Sequence, residues 1–358
     1  MFLKNYEISN FKKNSLIKIN ELEVPKINKK QSLVKIKYVG ICSSDVPRAF
    51  ENGAYNYPLV MGHEISAEVI VPSSKKSKFK QGDRVTIFPL IPCFKCPSCK
   101  IKLYAQCNKY SYYGSREDGG YTEFLAVNDW NMLKIPKSVS FQDAALTEPA
   151  AVVYHAVKKS GLLSSKKSKK ILIIGSGFLG LMLSEIIKIK KPKNIINIID
   201  RNNFKLKKAK KYSDITYNLK IKKDWSDFIE EKKSSYDYVF EMTGIPDLFT
   251  NSIILTKEFG TLIWVGNITD DIKIPKSIVS SILRKEMKII GSWNSQYKNN
   301  DDDDWIDVLN LMKRGFKPSN FVTHKVSLNK LPLSLKNMYM HKKRIKIYNS
   351  IKTLVTIS

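Results

Sequence analysis

The feature that most constrains the fold is a glycine motif between an apolar strand and a helix. The sequence ILIIGSGFLGLM holds G-x-G-x-x-G as Gly175, Gly177 and Gly180. The first glycine permits a tight turn, the second lets a pyrophosphate approach the backbone, and the third allows close packing of helix on strand. Because the helix N-terminus then faces the phosphates, the motif predicts a dinucleotide-binding loop that also contains Phe178 and Leu179.

The strand that follows bears on the choice of coenzyme. The sequence INIID ends in Asp200, 25 residues after Gly175. A carboxylate at this place accepts hydrogen bonds from the ribose hydroxyls and repels a 2′-phosphate, which favours NAD. Arg201 follows directly and could meet a 2′-phosphate, so NADP stays open as the alternative.

Strands and helices alternate from about residue 171 to Gly291, which predicts a doubly wound parallel sheet covered on both faces. The strands are ILII, IINII, YDYVF, TLIWV and MKIIG, and the helices are Phe178–Lys190, Phe204–Tyr212, Pro246–Leu255 and Ile278–Arg284. At roughly 150 residues per domain, the 358-residue chain has room for a second domain.

Residues 1–150 have a β-rich pattern of short apolar runs separated by Gly, Pro and Asn. The predicted strands are Leu33–Val39, Ile65–Val71, Arg84–Phe88 and Tyr121–Val127. After Gly291 the alternation stops, and the sequence predicts a helix at Trp305–Arg314, a short VTHKV strand and a helix around residues 329–340. The fold class predicted is α/β, with a β-rich domain beside the parallel sheet.

Four of the five cysteines fall in one short window. The sequence PCFKCPSCKIKLYAQC contains Cys93, Cys96, Cys99 and Cys107. Two-residue spacers let neighbouring thiolates wrap one ion, and four thiolates suit tetrahedral zinc. An iron–sulfur cluster is the chemical alternative, since closely spaced cysteines also ligate clusters. We predict a closed zinc site that folds a lobe and takes no part in catalysis.

The fifth cysteine belongs to a second candidate metal site. Cys42 lies in GICSSD, His63 follows in a GHE sequence, and Glu148 lies in TEPAAV. One thiolate, one imidazole and one carboxylate or water would make an open zinc site, as catalysis requires. Taken singly, each of these residues could also be an ordinary core residue or hydrogen-bonding residue. The chain has only four histidines, however, so few others could supply the imidazole ligand in place of His63.

The large basic charge is weak evidence for a nucleic-acid partner. Lys and Arg total 61 against 33 Asp and Glu, a formal net charge of +28. Seven of the 61 are Arg and the other 54 are Lys, whereas phosphate and base recognition favour the arginine fork. Since no recognition motif accompanies the charge, we expect no specific nucleic-acid partner.

The sequence also argues against a membrane or secretory protein. No apolar run approaches the roughly 18 residues that a membrane-spanning helix needs. The N-terminal MFLKNYEISNFKK lacks the apolar core and cleavage site of a signal peptide. We therefore expect a cytoplasmic protein without a membrane partner.

The metal sites and the glycine motif together resemble the zinc-containing medium-chain dehydrogenases, the alcohol and polyol dehydrogenase family. The resemblance covers essentially the whole chain. It implies a GroES-like catalytic domain formed by residues 1–152 and 293–358, with a Rossmann NAD-binding domain at residues 153–292. It also implies two zinc ions per chain, NAD or NADP as coenzyme, and a homodimer or homotetramer.

The resemblance implies roles for residues beside the catalytic zinc. Cys42, His63 and Glu148 would be the ligands. Glu64 would exchange into the ligand shell, and Ser44 would be the first acceptor of the substrate hydroxyl proton.

A further implied role concerns the zinc-binding imidazole and the coenzyme. Asp45 would fix the tautomer of that imidazole from the second layer of contacts. The implied coenzyme contacts beyond the glycine loop are Thr243 at the ribose and backbone groups of Val265, Gly266, Gly291 and Ser292 at the nicotinamide.

Long segments that extend well beyond the family motifs resemble a branch of the family that acts on polyol phosphates. They are CSSDVPRAFENGAYNYPLVMGHE, PLIPCFKCPSCKIKLYAQCNKYSYYGSREDGG and ILRKEMKIIGSW. Because Arg is scarce and a guanidinium binds phosphate bidentately, we predict that Arg48 or Arg116 contacts a substrate phosphate. Trp293 is assigned to the same substrate site. The predicted reaction interconverts a polyol, or polyol phosphate, and its ketose.

Two departures from the family pattern lie near the catalytic zinc. Ser43 replaces a glycine of the usual CGSD, and Ala67 replaces a glycine of the usual GHExxG. Neither removes a ligand, but both bear on the local backbone. Pro47 stands five residues after Cys42, so a histidine-terminated proton relay is not expected.

Several alternatives remain open from sequence. Within the enzyme class they are a sorbitol, butanediol or threonine dehydrogenase, or a reductase of a ketose phosphate or nucleotide-linked ketose in surface-polysaccharide synthesis. Outside it, the chain could be a zinc-free binding protein with the same fold, against which the intact set of ligands argues.

Overall fold

The computed structural model describes residues 3–8, 17–51, 53–298 and 303–357. The chain divides into two compact units. One is formed by Met1–Ala151 together with Ser295–Ser358, and the other by Val152–Asn294.

The elements of the described residues are numbered here in chain order. The strands are β1 (Leu3–Ile8), β2 (Ile17–Leu22), β3 (Gln31–Gly40), β4 (Glu64–Val71), β5 (Arg84–Ile87), β6 (Leu90–Ile91), β7 (Ser111–Tyr112), β8 (Phe124–Asn128), β9 (Met132–Lys134), β10 (Lys170–Ile174), β11 (Ile195–Asp200), β12 (Ile215–Asn218), β13 (Tyr236–Glu241), β14 (Thr256–Trp264), β15 (Lys288–Gly291), β16 (His324–Ser327) and β17 (Thr353–Thr356). The helices are α1 (Asp45–Phe50), α2 (Pro97–Lys100), α3 (Phe141–Ala145), α4 (Thr147–Lys159), α5 (Phe178–Lys190), α6 (Asn203–Ala209), α7 (Lys222–Lys232), α8 (Pro246–Leu255), α9 (Lys276–Arg284), α10 (Asp304–Lys313) and α11 (Leu331–Lys342).

The first unit is built on a seven-stranded sheet with the order β16-β17-β3-β4-β5-β9, in which β8 also pairs with β3. Strand β3 is long enough to hold two partners on one edge, β8 along its first half and β17 along its second. Alternate residues of β3, such as Val34 and Ile36, are fully buried, as a strand with one face on a core requires. The antiparallel hairpin of β3 and β4 brings Glu64 opposite Gly40.

The second unit is a six-stranded parallel sheet with the order β12-β11-β10-β13-β14-β15. The order reverses at β10, whose two neighbours are β11 and β13, and this is the doubly wound dinucleotide-binding topology. Strand β10 is buried along Ile171–Ile174, as expected for a strand covered on both faces. Ligands of such sheets bind beyond the carboxyl ends of the strands at the reversal.

One glycine of the predicted loop is fixed by packing in the second unit. A Cβ at Gly180 would lie 2.0 Å from the carbonyl oxygen of Gly175. No side chain fits there, so helix α5 can pack closely on β10 only with glycine at this position. Gly177, by contrast, has open space around it, which leaves room for a ligand at the start of α5.

The predicted fold class is confirmed, and most predicted elements are present within two or three residues. Helix α7 was missed because it is a polar helix in which only Phe228 is buried. Strand β12, which precedes it, was missed as well. Helix α4 and strand β17 were also not predicted. The strand predicted at Tyr121–Val127 begins only at Phe124, since the N–H of Tyr121 is bonded to the carbonyl of Met61 in a loop.

The described residues contain no helix with both the length and the apolarity that a bilayer crossing requires.

A half-buried acid on α5 gives the second unit a pH-dependent stability. Atom Oε2 of Glu185 is buried without a hydrogen-bond partner among the described residues. Burial raises the pKa of Glu185 to about 7, against a smaller lowering by Lys211. The folded chain therefore holds this proton over a range in which the unfolded chain has lost it, so the free energy of unfolding falls as pH rises from about 4.5 to 7.

We expect Glu185→Gln to remove this fall, because the amide cannot ionise. The variant should exceed the wild type in free energy of unfolding by about 1–2 kcal/mol at pH 8 and show no advantage at pH 5. Urea unfolding between pH 5 and pH 8 measures the effect, with Glu230→Gln on the exposed face of α7 as the matched control. Parallel pH profiles of wild type and Glu185→Gln would contradict the interpretation.

Candidate active site and coenzyme loop

The four clustered cysteines converge on one point of the first unit. Their four sulfur atoms lie within 4.8 Å of one another, and the sulfurs of Cys93 and Cys99 are 3.9 Å apart. None of the cysteines forms a disulfide. Backbone N–H groups of Cys93 and Cys96 point at sulfurs of the same cluster. This donor set fits zinc, since tetrahedral Zn–S bonds of about 2.3 Å place sulfurs about 3.8 Å apart.

An aromatic cluster fastens this lobe to the core of the unit. The ring of Phe94, inside the cysteine segment, meets Trp130 edge-on at 4.9 Å between centroids, and Tyr104 meets the same indole at 5.1 Å. Trp130 also packs against the buried Tyr297, with 4.9 Å between ring centroids. Edge-to-face pairs of this kind add stability beyond their burial, so the order of the lobe is coupled to Trp130.

Cys42, His63 and Glu64 form the second group of candidate metal ligands. One ligand atom from each lies within 4.8 Å of the others. Oε2 of Glu64 is buried without a hydrogen-bond partner among the described residues. Because unpaired buried polar atoms are costly, the arrangement fits a bound cation.

Glu148, the carboxylate predicted as a ligand, lies beside this group but outside the set of three. The hydroxyl of Tyr112 donates to its Oε1 at 3.3 Å. Burial raises the pKa of Glu148 to about 7, while His63 lowers it and Glu64 raises it further. The carboxylates of Glu64 and Glu148 therefore both lie near the imidazole of His63.

Asp45 forms hydrogen bonds that hold the backbone next to Cys42, His63 and Glu64. Its fully buried carboxylate accepts hydrogen bonds from the N–H of Cys42 at 3.0 Å and from the hydroxyl of Tyr121 at 2.9 Å. Nδ1 of His63 is 3.6 Å from Oδ1 of Asp45, longer than a hydrogen bond. Burial lowers the pKa of His63, but the Asp45 carboxylate and the Cys42 thiol outweigh it and raise the pKa to about 10.

Lys352 is a residue of this site that sequence analysis missed. Its ammonium donates to Oε1 of Glu64 at 2.5 Å and to the carbonyl of Ile41 at 2.9 Å. Both members of the ion pair are buried, with side chains 5% and 1% exposed. Lys352 precedes β17, so the C-terminal strand is attached to the turn that carries Cys42 and to the start of β4.

The two arginines predicted for the substrate have different surroundings. Arg48 donates from Nη1 to Oγ of Ser44 at 2.9 Å and is 3.3 Å from Asp45. Arg116 has its guanidinium carbon 3.8 Å from the ring centre of Tyr55 and 4.1 Å from that of Tyr110. Arg48 thus makes internal contacts around Ser44, and Arg116 is stacked between two rings.

The two departures from the family pattern are accommodated. Ser43 is exposed and has no positive φ, so the turn does not require glycine. Ala67 is fully buried in β4 opposite Ile36 and Val85.

The glycine loop of the second unit is held by the acid predicted to select the coenzyme. Oδ2 of Asp200 accepts from the N–H and the hydroxyl of Ser176, and its Oδ1 accepts from the N–H of Asn202. The carboxylate thus lies at the end of β11 next to the loop after β10. Phe178 is buried at the start of α5, Leu179 is half-buried, and Arg201 is exposed.

Glu241 is a second residue that sequence analysis missed. Its buried carboxylate accepts from the N–H of both Thr243 and Gly244, and its carbonyl accepts from Val265 and Gly266. It therefore fixes two of the loops that the resemblance assigned to the coenzyme.

The remaining predicted residues end the last strand of that sheet. Gly291 closes β15, and the N–H of Ser292 donates to the carbonyl of Trp264 at 2.9 Å. The side chain of Trp293 is 57% exposed.

Comparison with known proteins places these two units in one family. The family described as "Alcohol dehydrogenase GroES-like domain" matches residues 28–137, and the family described as "Zinc-binding dehydrogenase" matches residues 179–314. A sorbitol dehydrogenase of Bacillus subtilis is 32% identical over 261 residues, which cover 70% of this chain and 72% of the relative. The chain belongs to the zinc-containing medium-chain dehydrogenases.

Relatives that extend over more of the chain are members of the same dehydrogenase family. A galactitol 1-phosphate 5-dehydrogenase of Escherichia coli is 29% identical over 329 residues, which cover 91% of this chain and 94% of the relative. The crystal structure of galactitol-1-phosphate dehydrogenase from Escherichia coli superposes with a TM-score of 0.86 at 27% identity, covering 99% of both chains. The predicted family is confirmed, and with it zinc and a nicotinamide dinucleotide as its cofactors.

We expect Cys99→Ser to lower the zinc content from about two to about one ion per chain, because a four-thiolate site tolerates no missing ligand. The emission of Trp130 should change at the same time, since its aromatic partners lie in the lobe. Metal analysis and fluorescence measure both effects. Cys42→Ser is the matched control, which should lose the other ion and leave the emission unchanged; full zinc content in Cys99→Ser would contradict the assignment.

Removal of Lys352 should leave Glu64 buried without its ion-pair partner. We expect Lys352→Met to lower the free energy of unfolding of the metal-free protein by about 3–5 kcal/mol. The double variant Glu64→Gln/Lys352→Met should recover more than half of that loss, because neither charge is then buried. Chemical denaturation measures both, and Lys346→Met, on an exposed lysine, is the control; a loss no larger than the control's would show that the pair does not matter.

Proposed function

We propose that the protein is a zinc-dependent oxidoreductase that interconverts a secondary alcohol of a polyol and the corresponding ketose, with hydride transfer to or from NAD. The observation that carries the proposal is the buried group of Cys42, His63 and Glu64, with Glu148 beside it. A thiolate, an imidazole and one carboxylate leave a position for a substrate oxygen, as a catalytic zinc site requires.

Cys42, His63 and one of the two glutamates would hold the catalytic zinc. When bound, the ion acts as a Lewis acid that lowers the pKa of the substrate hydroxyl toward neutrality, and the nicotinamide supplies the hydride acceptor. Ser44 is proposed to take the hydroxyl proton. The hydrogen bond from Arg48 supports this role, because Oγ of Ser44 is held as an acceptor and keeps its own proton to pass on.

The coenzyme would occupy the loop of Gly175, Gly177 and Gly180. Asp200 favours NAD over NADP, because a carboxylate there repels a 2′-phosphate, and its bonds to Ser176 hold it beside the loop. Thr243, Val265 and the other residues assigned from the resemblance are proposed contacts of the same coenzyme.

The finer proposal is that the substrate is a polyol phosphate such as galactitol 1-phosphate. It is supported by the relatives, which include galactitol 1-phosphate 5-dehydrogenase and the D-arabitol-phosphate dehydrogenase of Enterococcus avium. Sorbitol dehydrogenases are also among them, so free polyols belong in any test. A cytoplasmic location and a homodimer or homotetramer remain predictions.

The test is NAD(P)-linked turnover on galactitol 1-phosphate, glucitol 6-phosphate, galactitol, sorbitol and 2,3-butanediol, with the matching ketoses in reverse. We expect oxidation of a polyol phosphate, with kcat/KM for NAD at least about tenfold above that for NADP. Cys42→Ser should abolish turnover while the zinc of the four-cysteine lobe remains. Absence of turnover with every polyol and ketose in the zinc-loaded protein would overturn the proposal.

A further inference from the structure

The guanidinium of Arg116 lies over two aromatic rings. Its carbon is 3.8 Å from the ring centre of Tyr55 and 4.1 Å from that of Tyr110. Stacking fixes the plane of the guanidinium and leaves its N–H groups pointing outward in that plane. Within the described part of the chain, those side-chain N–H groups have neither a hydrogen-bond acceptor nor a salt-bridge partner. A half-buried arginine held in this way is prepared for an anionic ligand.

The neighbouring acids do not neutralise it. Glu117 accepts from the hydroxyl of Ser111 at 2.8 Å. Asp118 accepts from the N–H of Val60 at 2.9 Å. Both carboxylates that follow Arg116 in the sequence are therefore bound elsewhere.

The same segment is joined to the candidate zinc ligands. The N–H of Arg116 donates to the carbonyl of Tyr112 at 2.9 Å. The side chain of Tyr112 in turn donates to Glu148 and packs edge-on against His63, 5.8 Å between ring centres. Tyr110 lies 6.3 Å from Tyr112. Arg116 is thus one tight turn away from a residue that contacts the site itself.

We propose that Arg116, held by Tyr55 and Tyr110, binds the terminal phosphate of the substrate. An arginine fork matches phosphate oxygens bidentately. The inference rests on the proposed function, and it deepens it by separating two arginines that the sequence made equivalent. Arg48 pairs through Nη1 with Ser44 and with the buried Asp45 carboxylate, which compensates its charge, so we assign it to positioning the proton acceptor.

The experiment compares two substrates that differ only in the phosphate. Arg116→Met should lower kcat/KM for galactitol 1-phosphate by about 30- to 100-fold, the range expected for a lost charge-assisted bidentate contact. It should change kcat/KM for free galactitol less than about twofold. Arg116→Lys should recover part of the difference, because it keeps the charge and loses the fork.

Two further variants test whether the effect is specific to Arg116 and its stacking. Arg314→Met, on an exposed arginine at the end of α10, is the matched control and should leave both substrates unchanged. Tyr55→Leu removes one stacking ring at a site that is 67% exposed, so it should fold normally and still weaken the phosphate preference several-fold.

Direct binding separates a failure of this inference from a failure of the proposed function. Titration calorimetry of galactitol 1-phosphate into the zinc-loaded protein needs no turnover, and we expect Arg116→Met to raise the Kd by about 30- to 100-fold. Equal losses on both substrates, or a Kd for galactitol 1-phosphate that is unchanged in Arg116→Met, would overturn the inference while the dehydrogenase activity stands. Stronger Arg116-dependent binding of galactonate than of galactitol 1-phosphate would overturn the phosphate assignment in favour of a carboxylate.

Discussion

The candidate active site depends on one buried ion pair, between Glu64 and Lys352. Lys352 arrives from the C-terminal segment, 288 residues away from Glu64 in sequence, and its ammonium also caps the carbonyl of Ile41 beside Cys42. The pair therefore joins the end of β3, the start of β4 and the start of β17 where the metal ligands converge. Burial of two charges is stabilising only with good geometry and further hydrogen bonds, and the contact to Ile41 supplies such a bond.

A second constraint is the close approach of two loops. Backbone N–H groups of Gly119, Gly120 and Tyr121 donate to the carbonyls of residues 60–62. A Cβ at Gly119 would lie 2.2 Å from the carbonyl oxygen of Gly62, so this pairing excludes every other residue type there. The result is that the segment carrying Tyr112 and the one carrying His63 are fastened backbone to backbone, which places a phenol, an imidazole and a stacked arginine in one neighbourhood.

The sequence could predict features that depend on residues close together in the chain, and could not predict those that depend on distant residues. Cys93 to Cys107 lie within 15 residues, and the glycine motif is contiguous with its strand and helix, so local spacing reveals both. The sequence also predicted the fold class, because alternating apolar runs report a parallel sheet directly. Lys352 is one of 54 lysines, and Glu241 is one acid at a strand end. Their roles come from long-range contacts that leave no local pattern, and for the same reason the sequence could not arrange Glu64 and Glu148 about His63.

The arginines show how structure adds meaning to composition. Scarcity of arginine and a place in the segments that carry the ligands made Arg48 and Arg116 equal candidates for a phosphate. Arg48 sits four residues after Ser44 on a short helix, and that spacing brings its guanidinium back onto Ser44 and Asp45. Arg116 follows a tight turn and lies over two aromatic rings, which attract its charge but use none of its N–H donors. An arginine whose charge a buried carboxylate compensates can orient a catalytic group, whereas an arginine without a carboxylate partner keeps its full charge for an anion.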